Sequence, residues 1–588
     1  MQRYVAALSL LLVGLTGCFN PVTRAQMAEE NEKTQDLNTV KLVKDVADVS
    51  GVMPQQIHGV GLVTGLAGTG HTPPGYYRDL LEQYLLKHIG PKGGEIANDA
   101  HRTSVRKLLS DPNNAMVIVT GFLPAGVRKG DRFEVEISLP PDSKCISLAG
   151  GTLHACALRV YEMKASISQR SNSNEPLGSH VLAFAKGPLI VGFGKNTDPG
   201  ELKSARIWQG GVSRIDRTYS FVMRGDKPST AITNRLAKRI NTMYQDDPHS
   251  LALISDQQKR TTIIGTIENQ MNVRFATTSF DQSEMAKPMN QNIIGARVPF
   301  AYRLNHERFL LVACKTPVLP NDPGLEKYKL RLAKMLLDPR DALPAAVRLE
   351  AMGRSSVDTL KTGLASKHPF VRFAAAEALA YLGNTAGVET LAQVAQDYPL
   401  LASNATLALA SLGESVCKQT LADLLASSQP ALRCAAFHAL TLLDDADLSL
   451  GSLPVHDVFT LHLLPQAPNA TVYYSTSKRA QVILFGRNIT LSADTSMMVG
   501  NDYTVKVDAK TGKCTVKRIT LDGERKIECA NQLKEAILAL SDLGATYPDI
   551  IDFLHRAQEY RYVSCPVANW SVPTVALEAL VEAGKALK

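Results

Sequence analysis

Aromatic residues, charged residues and long apolar runs are all scarce in this sequence. Only 6% of its 588 residues are aromatic and 20% are charged, whereas 45% are hydrophobic. So much apolar material can fill several cores and excludes a disordered chain, and a usual size of about 150 residues per domain predicts roughly four domains. The one long apolar run stands at the start of the chain, which excludes a polytopic membrane protein.

The basic excess is small and local. The formal net charge of +8 combines +10 in residues 1–339, −3 in residues 340–450 and +1 in residues 451–588. Nucleic-acid-binding proteins usually carry a denser lysine and arginine face with aromatic residues interleaved. We therefore expect no nucleic-acid partner, and instead a surface that meets an acidic polymer or a partner protein.

Motifs for catalysis, metals and cofactors are also missing. Residues 59–70 read GVGLVTGLAGTG, but a P-loop needs Lys-Ser/Thr where His71 and Thr72 stand. A Rossmann turn needs its later glycines three residues apart, whereas Gly61 and Gly65 are four apart. The sequence has no HExxH, GxSxG or CxxC. It predicts a non-catalytic protein with no cofactor and no metal, whose glycines allow close backbone packing.

Residues 1–17 have the pattern of an export signal. Their apolar stretch, Val5 to Leu15, is shorter than the roughly 20 residues that a spanning helix needs. It ends in LTGC, which resembles the bacterial lipobox and implies lipidation of Cys18; the alternative is an ordinary secretory signal cleaved near the same residue. Because Phe19 rather than aspartate follows, we expect an outer-membrane anchor, with residues 18–50 as a tether.

The remaining eight cysteines suit an oxidising compartment. Cys514 and Cys529 flank residues 520–523, which read TLDG, and a four-residue hairpin loop there places the two cysteines opposite each other. Cys145 and Cys156 close a short loop around a glycine pair. Each pair is a candidate disulfide.

Residues 51–320 mix strands, glycine turns and a few helices. Apolar and polar residues alternate over residues 131–139, which predicts a half-buried strand with Glu134 and Glu136 on its solvated face. A continuous apolar run at 116–120 predicts a more central strand. Helical spacing over 76–89, and again after Ser229, predicts two amphipathic helices.

Residues 325–450 change character sharply. Helical stretches rich in Ala and Leu end at glycines spaced 30 residues apart, and prolines follow at nearly the same period: Gly353, Gly383 and Gly413; Pro369, Pro399 and Pro430. A cap glycine and a restarting proline at a fixed period are typical of a stacked helical solenoid, and these residues resemble HEAT-like repeats. Two interpretations stay open: a concave binding surface, or a spacer that positions other domains.

Residues 451–588 predict a small α+β domain of unknown role. Strand patterns lie at 481–485 and 503–507, and an amphipathic helix covers 532–543. The predicted fold class is therefore multidomain α+β: a β-rich region, an α-solenoid and this last domain.

Read as a whole, residues 51–320 resemble the flagellar P-ring protein family. The resemblance is carried by ordered motifs at residues 58–70, 114–124, 130–138, 147–153, 184–192, 210–211 and 230–244. The family-motif glycines are Gly59, Gly61, Gly65, Gly68, Gly70, Gly150 and Gly151.

The resemblance implies a structural subunit of the flagellar basal body. It implies a periplasmic homo-oligomeric ring that surrounds the rod, is seated in peptidoglycan and contacts the L-ring, so that the protein supports motility. A closed ring requires head-to-tail interfaces between subunits.

Two features depart from the family pattern. The family normally has a plain secretory signal, whereas Cys18 stands here in a lipobox, and the helical repeats with the last domain replace the family's usual C-terminal part. The alternative function is therefore an outer-membrane lipid-anchored envelope scaffold that uses a P-ring-like module outside the flagellum.

Overall fold

The computed structural model describes residues 40–88, 99–163, 176–192, 200–225, 229–244, 284–500, 502–520 and 523–570. The predicted export signal, Cys18 and residues 19–39 of the predicted tether lie outside the described residues. The tether prediction is wrong for its last part, because Val40, Leu42 and Val43 are buried in a core and residues 47–50 form a strand. Within the described ranges, no helix combines the length and apolar character needed to cross a membrane.

The first half of the chain is built on a closed six-stranded barrel. Its strands and those of a neighbouring sheet are β1 Ala47–Ser50, β2 Gln55–Thr64, β3 Asn114–Leu123, β4 Arg132–Ser138, β5 Thr152–Leu158, β6 Tyr161–Met163, β7 Pro176–Gly178, β8 Ala183–Pro188, β9 Ser204–Ser213, β10 Tyr219–Met223, β11 Ala286–Pro288 and β12 Ile293–Ala296. The barrel closes in the order β2-β3-β4-β9-β8-β5, with antiparallel neighbours. Its interior is filled by apolar side chains such as Ile57, Val119, Val135 and Ile207.

Two helices cover one side of the barrel, and two others pack against a second sheet. Helices α1 (Tyr76–His88) and α2 (Asp99–Ser110) pack Leu81 and Leu109 on the barrel strands at Leu62 and Met116. Strands β1, β10, β12 and β11 form the second sheet, which shares a core with α3 (Thr230–Met243) and α4 (His306–Lys315).

Four helix pairs follow as a solenoid. Their helices are α5 Leu325–Leu336, α6 Ala342–Met352, α7 Val357–Leu364, α8 Pro369–Tyr381, α9 Val388–Asp397, α10 Pro399–Leu412, α11 Ser415–Leu424 and α12 Pro430–Leu443. The three repeated glycines follow α6, α8 and α10 with φ of 82°, 73° and 75°, a conformation that residues with a side chain rarely adopt. The three prolines begin α8, α10 and α12. The prediction that these glycines end helices and these prolines begin them is therefore confirmed.

The inner layer of the solenoid is covered by the rest of the chain. Ten of the eleven residues of α6 are buried, and only Pro344 is exposed. Tyr302, just before α4, stacks on Tyr381 of α8 with 5.1 Å between the ring centroids. At the other end, Phe437 of α12 packs against Trp570 at 5.2 Å. Other parts of the same chain therefore contact the inner helices, where a binding partner would lie on a concave surface. This arrangement favours the other interpretation, in which the repeats are a spacer that positions the other domains.

The last part contains two sheets and two helices. Its elements are β13 Ser452–Val455, β14 Phe459–Leu464, β15 Thr471–Tyr474, β16 Gln481–Phe485, β17 Ser496–Val499, β18 Tyr503–Val507, β19 Lys513–Thr520, β20 Gly523–Ala530, α13 Leu533–Asp542, α14 Tyr547–Glu559 and β21 Val567–Asn569. One sheet has the order β13-β14-β16-β15-β21 and the other is the meander β17 to β20. Both helices pack into the core beside the sheets.

The predicted fold class, multidomain α+β, is confirmed. Sequence periodicity also located individual elements: the strand expected at 131–139 is β4, and the helix expected at 76–89 is α1, in which residue 89 lies outside the described residues. One local detail differs. Ser229 stands at the N-cap of α3, but its side chain makes no capping hydrogen bond.

Candidate functional site

The motif glycines of β2 lie where the barrel strands approach most closely. A Cβ atom at Gly59 would overlap the carbonyl oxygen of Ala157, and one at Gly61 would lie 2.7 Å from Leu153 Cδ1. Real Cβ contacts are not that short, so only bare backbone fits against β5. The glycines therefore allow the close approach of β2 to β5 that the barrel requires.

The remaining motif glycines shape one end of the barrel. Gly65 and Gly68 have φ of 88° and 84°, and a Cβ at Gly70 would overlap the Asn114 carbonyl. A Cβ at Gly65 would lie 3.6 Å from the carbonyl oxygen of Gly150, so two motifs far apart in sequence meet here. Gly151 is equally confined, because its Cβ would lie 2.6 Å from Val63 Cγ1.

Hydrogen bonds tie this loop to its neighbour. The hydroxyl of Thr69 lies 2.7 Å from the carbonyl oxygens of Leu66 and Ser147, and the Ile146 amide donates to the Thr69 carbonyl at 3.0 Å. These hydrogen bonds join the two loops into one backbone surface. A preorganised surface of this kind suits contact with another protein.

The two acids predicted on the solvated face of β4 lie beside one arginine. Glu134 and Glu136 share the guanidinium of Arg206, at 3.6 Å each, and all three side chains are well exposed. Across the ranges that the structure describes, His, Cys, Asp and Glu nowhere form a group of three that could hold a metal ion.

The candidate disulfide cysteines fall in two different settings. Cys514 lies directly opposite Cys529 in the β19–β20 ladder, as the hairpin predicted. The hydrogen bond between the two thiols raises the pKa of Cys514 and lowers the pKa of Cys529. Cys145 and Cys156 instead point at separate carbonyls, those of Ser147 and Val60. All eight described cysteines are free thiols, and both disulfides stay predictions about the oxidised protein.

A buried ion cluster joins the first half of the chain to the solenoid. Arg308 of α4 contacts Glu350 of α6 at 2.6 Å and Glu377 of α8 at 2.5 Å, and all three side chains are at most 5% exposed. The hydroxyl of Tyr302 donates to Glu350 at 2.7 Å, and the guanidinium lies 4.5 Å from the Tyr381 ring centroid. The cluster therefore bonds one helix of the N-terminal half to two inner helices of the repeats.

Burial and charge act against each other in this cluster. Burial raises the pKa of Glu350 and of Glu377, although the Arg308 guanidinium favours their ionised forms. Burial disfavours the charge on Arg308, but the two carboxylates hold its pKa above its ordinary value. Removal of one partner would therefore leave a buried charge without compensation.

Sequence reasoning missed this cluster. The available signal was two acids, Glu350 and Glu377, inside helices otherwise rich in alanine and leucine. An ionised residue on an apolar helix face is rarely fully buried unless it is paired. The pairing itself depends on α4, which is distant along the chain.

The C-terminal part also folds back onto the barrel. Trp208 of β9 is 8% exposed and lies in one apolar cluster with Ile190 and the last domain. Its ring meets Tyr547 edge to face, with the centroids 5.9 Å apart. The Tyr547 hydroxyl lies 2.7 Å from the Ser475 carbonyl and 2.8 Å from the Gln481 carbonyl. The Arg308 cluster thus joins the first half of the chain to the solenoid. At the other end of the solenoid, the last domain contacts the barrel through Trp208.

Comparison with known proteins gives a consistent match for the first half of the chain. The family described as flagellar P-ring protein matches residues 42–294. A flagellar P-ring protein of Campylobacter jejuni subsp. jejuni serotype O:2 is 29% identical over 263 residues, which cover 43% of this chain and 66% of the relative. The P-ring protein of Syntrophus aciditrophicus is 31% identical over 30% of this chain and 40% of its own length. Flagellar P-ring protein 2 of Bradyrhizobium diazoefficiens is 26% identical over 40% of this chain and 60% of its own length. The chain therefore spans just under two thirds of the Campylobacter relative, and the solenoid lies beyond the matched region.

Proposed function

We propose that this chain, which carries a P-ring family region over residues 42–294, is a non-catalytic structural subunit of the flagellar basal body P-ring. It assembles with copies of itself into a periplasmic ring around the rod. It contacts the L-ring and peptidoglycan and supports flagellum-dependent motility. The observation that carries the proposal is that the family match covers the barrel and the second sheet up to the start of β12, including the positions where only glycine fits.

The geometry supports a structural role over catalysis. The paired acids of β4 are bound to one arginine on the solvated face, and the glycine loop offers backbone rather than reactive side chains. We divide the chain near residues 320 and 450 into the P-ring-like region, the helical repeats and the last domain. The covered inner face of the repeats supports a role in which they hold the last domain against the barrel.

The anchor belongs to the same proposal. Cys18 carries a lipid that holds the protein to the outer membrane, and the residues between Cys18 and Val40, where the described fold begins, span the distance to the ring. Its support is the resemblance of LTGC to a lipobox.

The direct test is quantitative mass spectrometry of purified basal bodies, with rod and ring proteins as internal standards. The proposal expects enrichment at a ring-like copy number, and loss of motility when the gene is deleted. Outer-membrane fractions from the same cells serve as the control. Abundance there with absence from basal bodies, and intact motility in the deletion strain, would contradict the proposal and indicate an envelope scaffold instead.

A further inference from the structure

The outer surface of the solenoid has opposite charges at its two ends. In residues 325–381, nine exposed or half-buried lysines and arginines accompany four acids. In residues 382–450 one such lysine accompanies seven acids. The first two helix pairs are therefore basic outside and the last two are acidic outside.

The first helix carries an apolar ridge that repeat proteins usually avoid. Leu330 of α5 is 65% exposed and Leu337, directly after it, is 53% exposed. The exposed Lys334 stands between them and has no ion pair among the described residues. Terminal repeats of a solenoid normally present a polar outer face, because nothing stacks on them. This ridge indicates that the first repeat has a partner.

The acidic end carries a matching feature. Asp423 of α11 is exposed, and the turn after α12 contains the exposed Asp445 and Leu448, which is 96% exposed. An ion pair of 2.9 Å between Lys418 and Asp444 holds this turn against α11. Arg479 lies 3.7 Å from Asp445 and neutralises part of the charge. Among the described residues, the contact of Asp423 is with an amide donor, Gln419, at 2.9 Å.

We propose that copies of this chain associate head to tail through the solenoid, with the α5 ridge of one copy packed against α11 and the following turn of the next. To bind a different protein, the solenoid would need a charged surface of only one sign. This chain instead has a basic end and an acidic end, each with an exposed leucine, as association between copies requires. A contact between two different surfaces of the same protein is heterologous, as ring closure requires. The proposal deepens the ring function above and rests on it for closure, but the pairwise contact can be measured by itself.

The test is a charge swap in the purified full-length protein, solubilised in detergent and followed by sedimentation velocity. We expect concentration-dependent association that weakens as salt rises, because the contact is partly electrostatic. Lys334→Glu and Asp423→Lys should each weaken association by about tenfold, and the double variant should restore it, since the two ends then match again. Lys506→Glu, at an exposed position of β18, makes the same charge change away from the contact and should have no effect.

The outcomes separate this proposal from the ring function. Unchanged association in both single variants, or a double variant weaker than either, overturns the contact. A protein that stays monomeric at every concentration overturns it as well. If the single variants still occur in basal bodies at the normal copy number, the ring function stands without the solenoid contact. The unaltered protein and its four variants should all give the same circular dichroism spectrum, because the substituted side chains are exposed.

Discussion

Replacement of Arg308 by methionine tests whether the ion cluster joins the two halves of the chain. The substitution removes the only cation that contacts Glu350 at 2.6 Å and Glu377 at 2.5 Å in the described part of the chain, and leaves both carboxylates buried. Removal of one partner from a buried ion group costs about 3–5 kcal/mol. We expect the free energy of unfolding near neutral pH to fall by about that amount.

The sign of the pH dependence follows from the carboxylates. Burial holds the folded-state pKa of Glu350 and Glu377 above the unfolded value, so the folded protein binds more protons than the unfolded chain between the two values. Their contribution to stability is therefore complete below the unfolded pKa and is lost as pH rises through the folded pKa. Without the arginine the folded pKa values rise further. The cost of Arg308→Met should therefore be smaller at about pH 5 than at about pH 8.

Urea unfolding at both pH values, followed by circular dichroism, measures these differences. The variant with methionine at 308 and leucine at both 350 and 377 should recover most of the lost stability, because an apolar cluster of similar volume replaces the ions. Arg206→Met, at the exposed ion pairs of the barrel, is the control and should change stability by less than about 1 kcal/mol. A cost for Arg308→Met below about 1 kcal/mol, or one independent of pH, would refute the reasoning.

Four further predictions concern the barrel, the docked domain, the anchor and the hairpin. Gly61→Leu should lower the free energy of unfolding by about 1–3 kcal/mol or prevent folding, because the strand contact is overpacked. Trp208→Ala should cost about 3–5 kcal/mol and speed proteolytic release of the last domain, since the ring is nearly buried. Cys18→Ser should move the protein from the membrane to the soluble periplasmic fraction in a fractionation experiment. Non-reducing peptide mapping of periplasmic material should recover Cys514 and Cys529 in one linked peptide pair.

Each of these four predictions has a control substitution or a result that would contradict it. Gly200→Ala, where an added Cβ meets nothing within 4 Å, should leave stability unchanged, and equal effects at the two glycines would contradict the packing argument. Phe122→Ala, at a side chain that is 44% exposed, is the control for the tryptophan. An unchanged membrane fraction would contradict lipidation, and free thiols at both hairpin cysteines would show that the disulfide prediction is wrong.

Several features were predictable because their causes are local. The glycines at 353, 383 and 413 stop helices through a positive φ, and the prolines at 369, 399 and 430 restart them through a fixed φ. Both effects act within one turn of chain, so a period of 30 residues was enough to predict a solenoid. Alternation of apolar and polar residues likewise located β4, and the glycine motifs indicated the region that is similar to flagellar P-ring proteins before any contact was known.

Contacts between distant segments were decided by the tertiary structure alone. Neither the strand order of the barrel nor the pairing of Arg308 with Glu350 and Glu377 follows from spacing, because each partner stands on a different element. The same holds for Trp208, whose burial depends on a domain that begins more than 200 residues later. By itself the sequence determined helices, strands and the glycine caps of the repeats, since backbone sterics and periodicity are local. Only the folded chain decided that the inner face of the repeats is occupied and that their outer face, with opposite charges at its ends, is exposed.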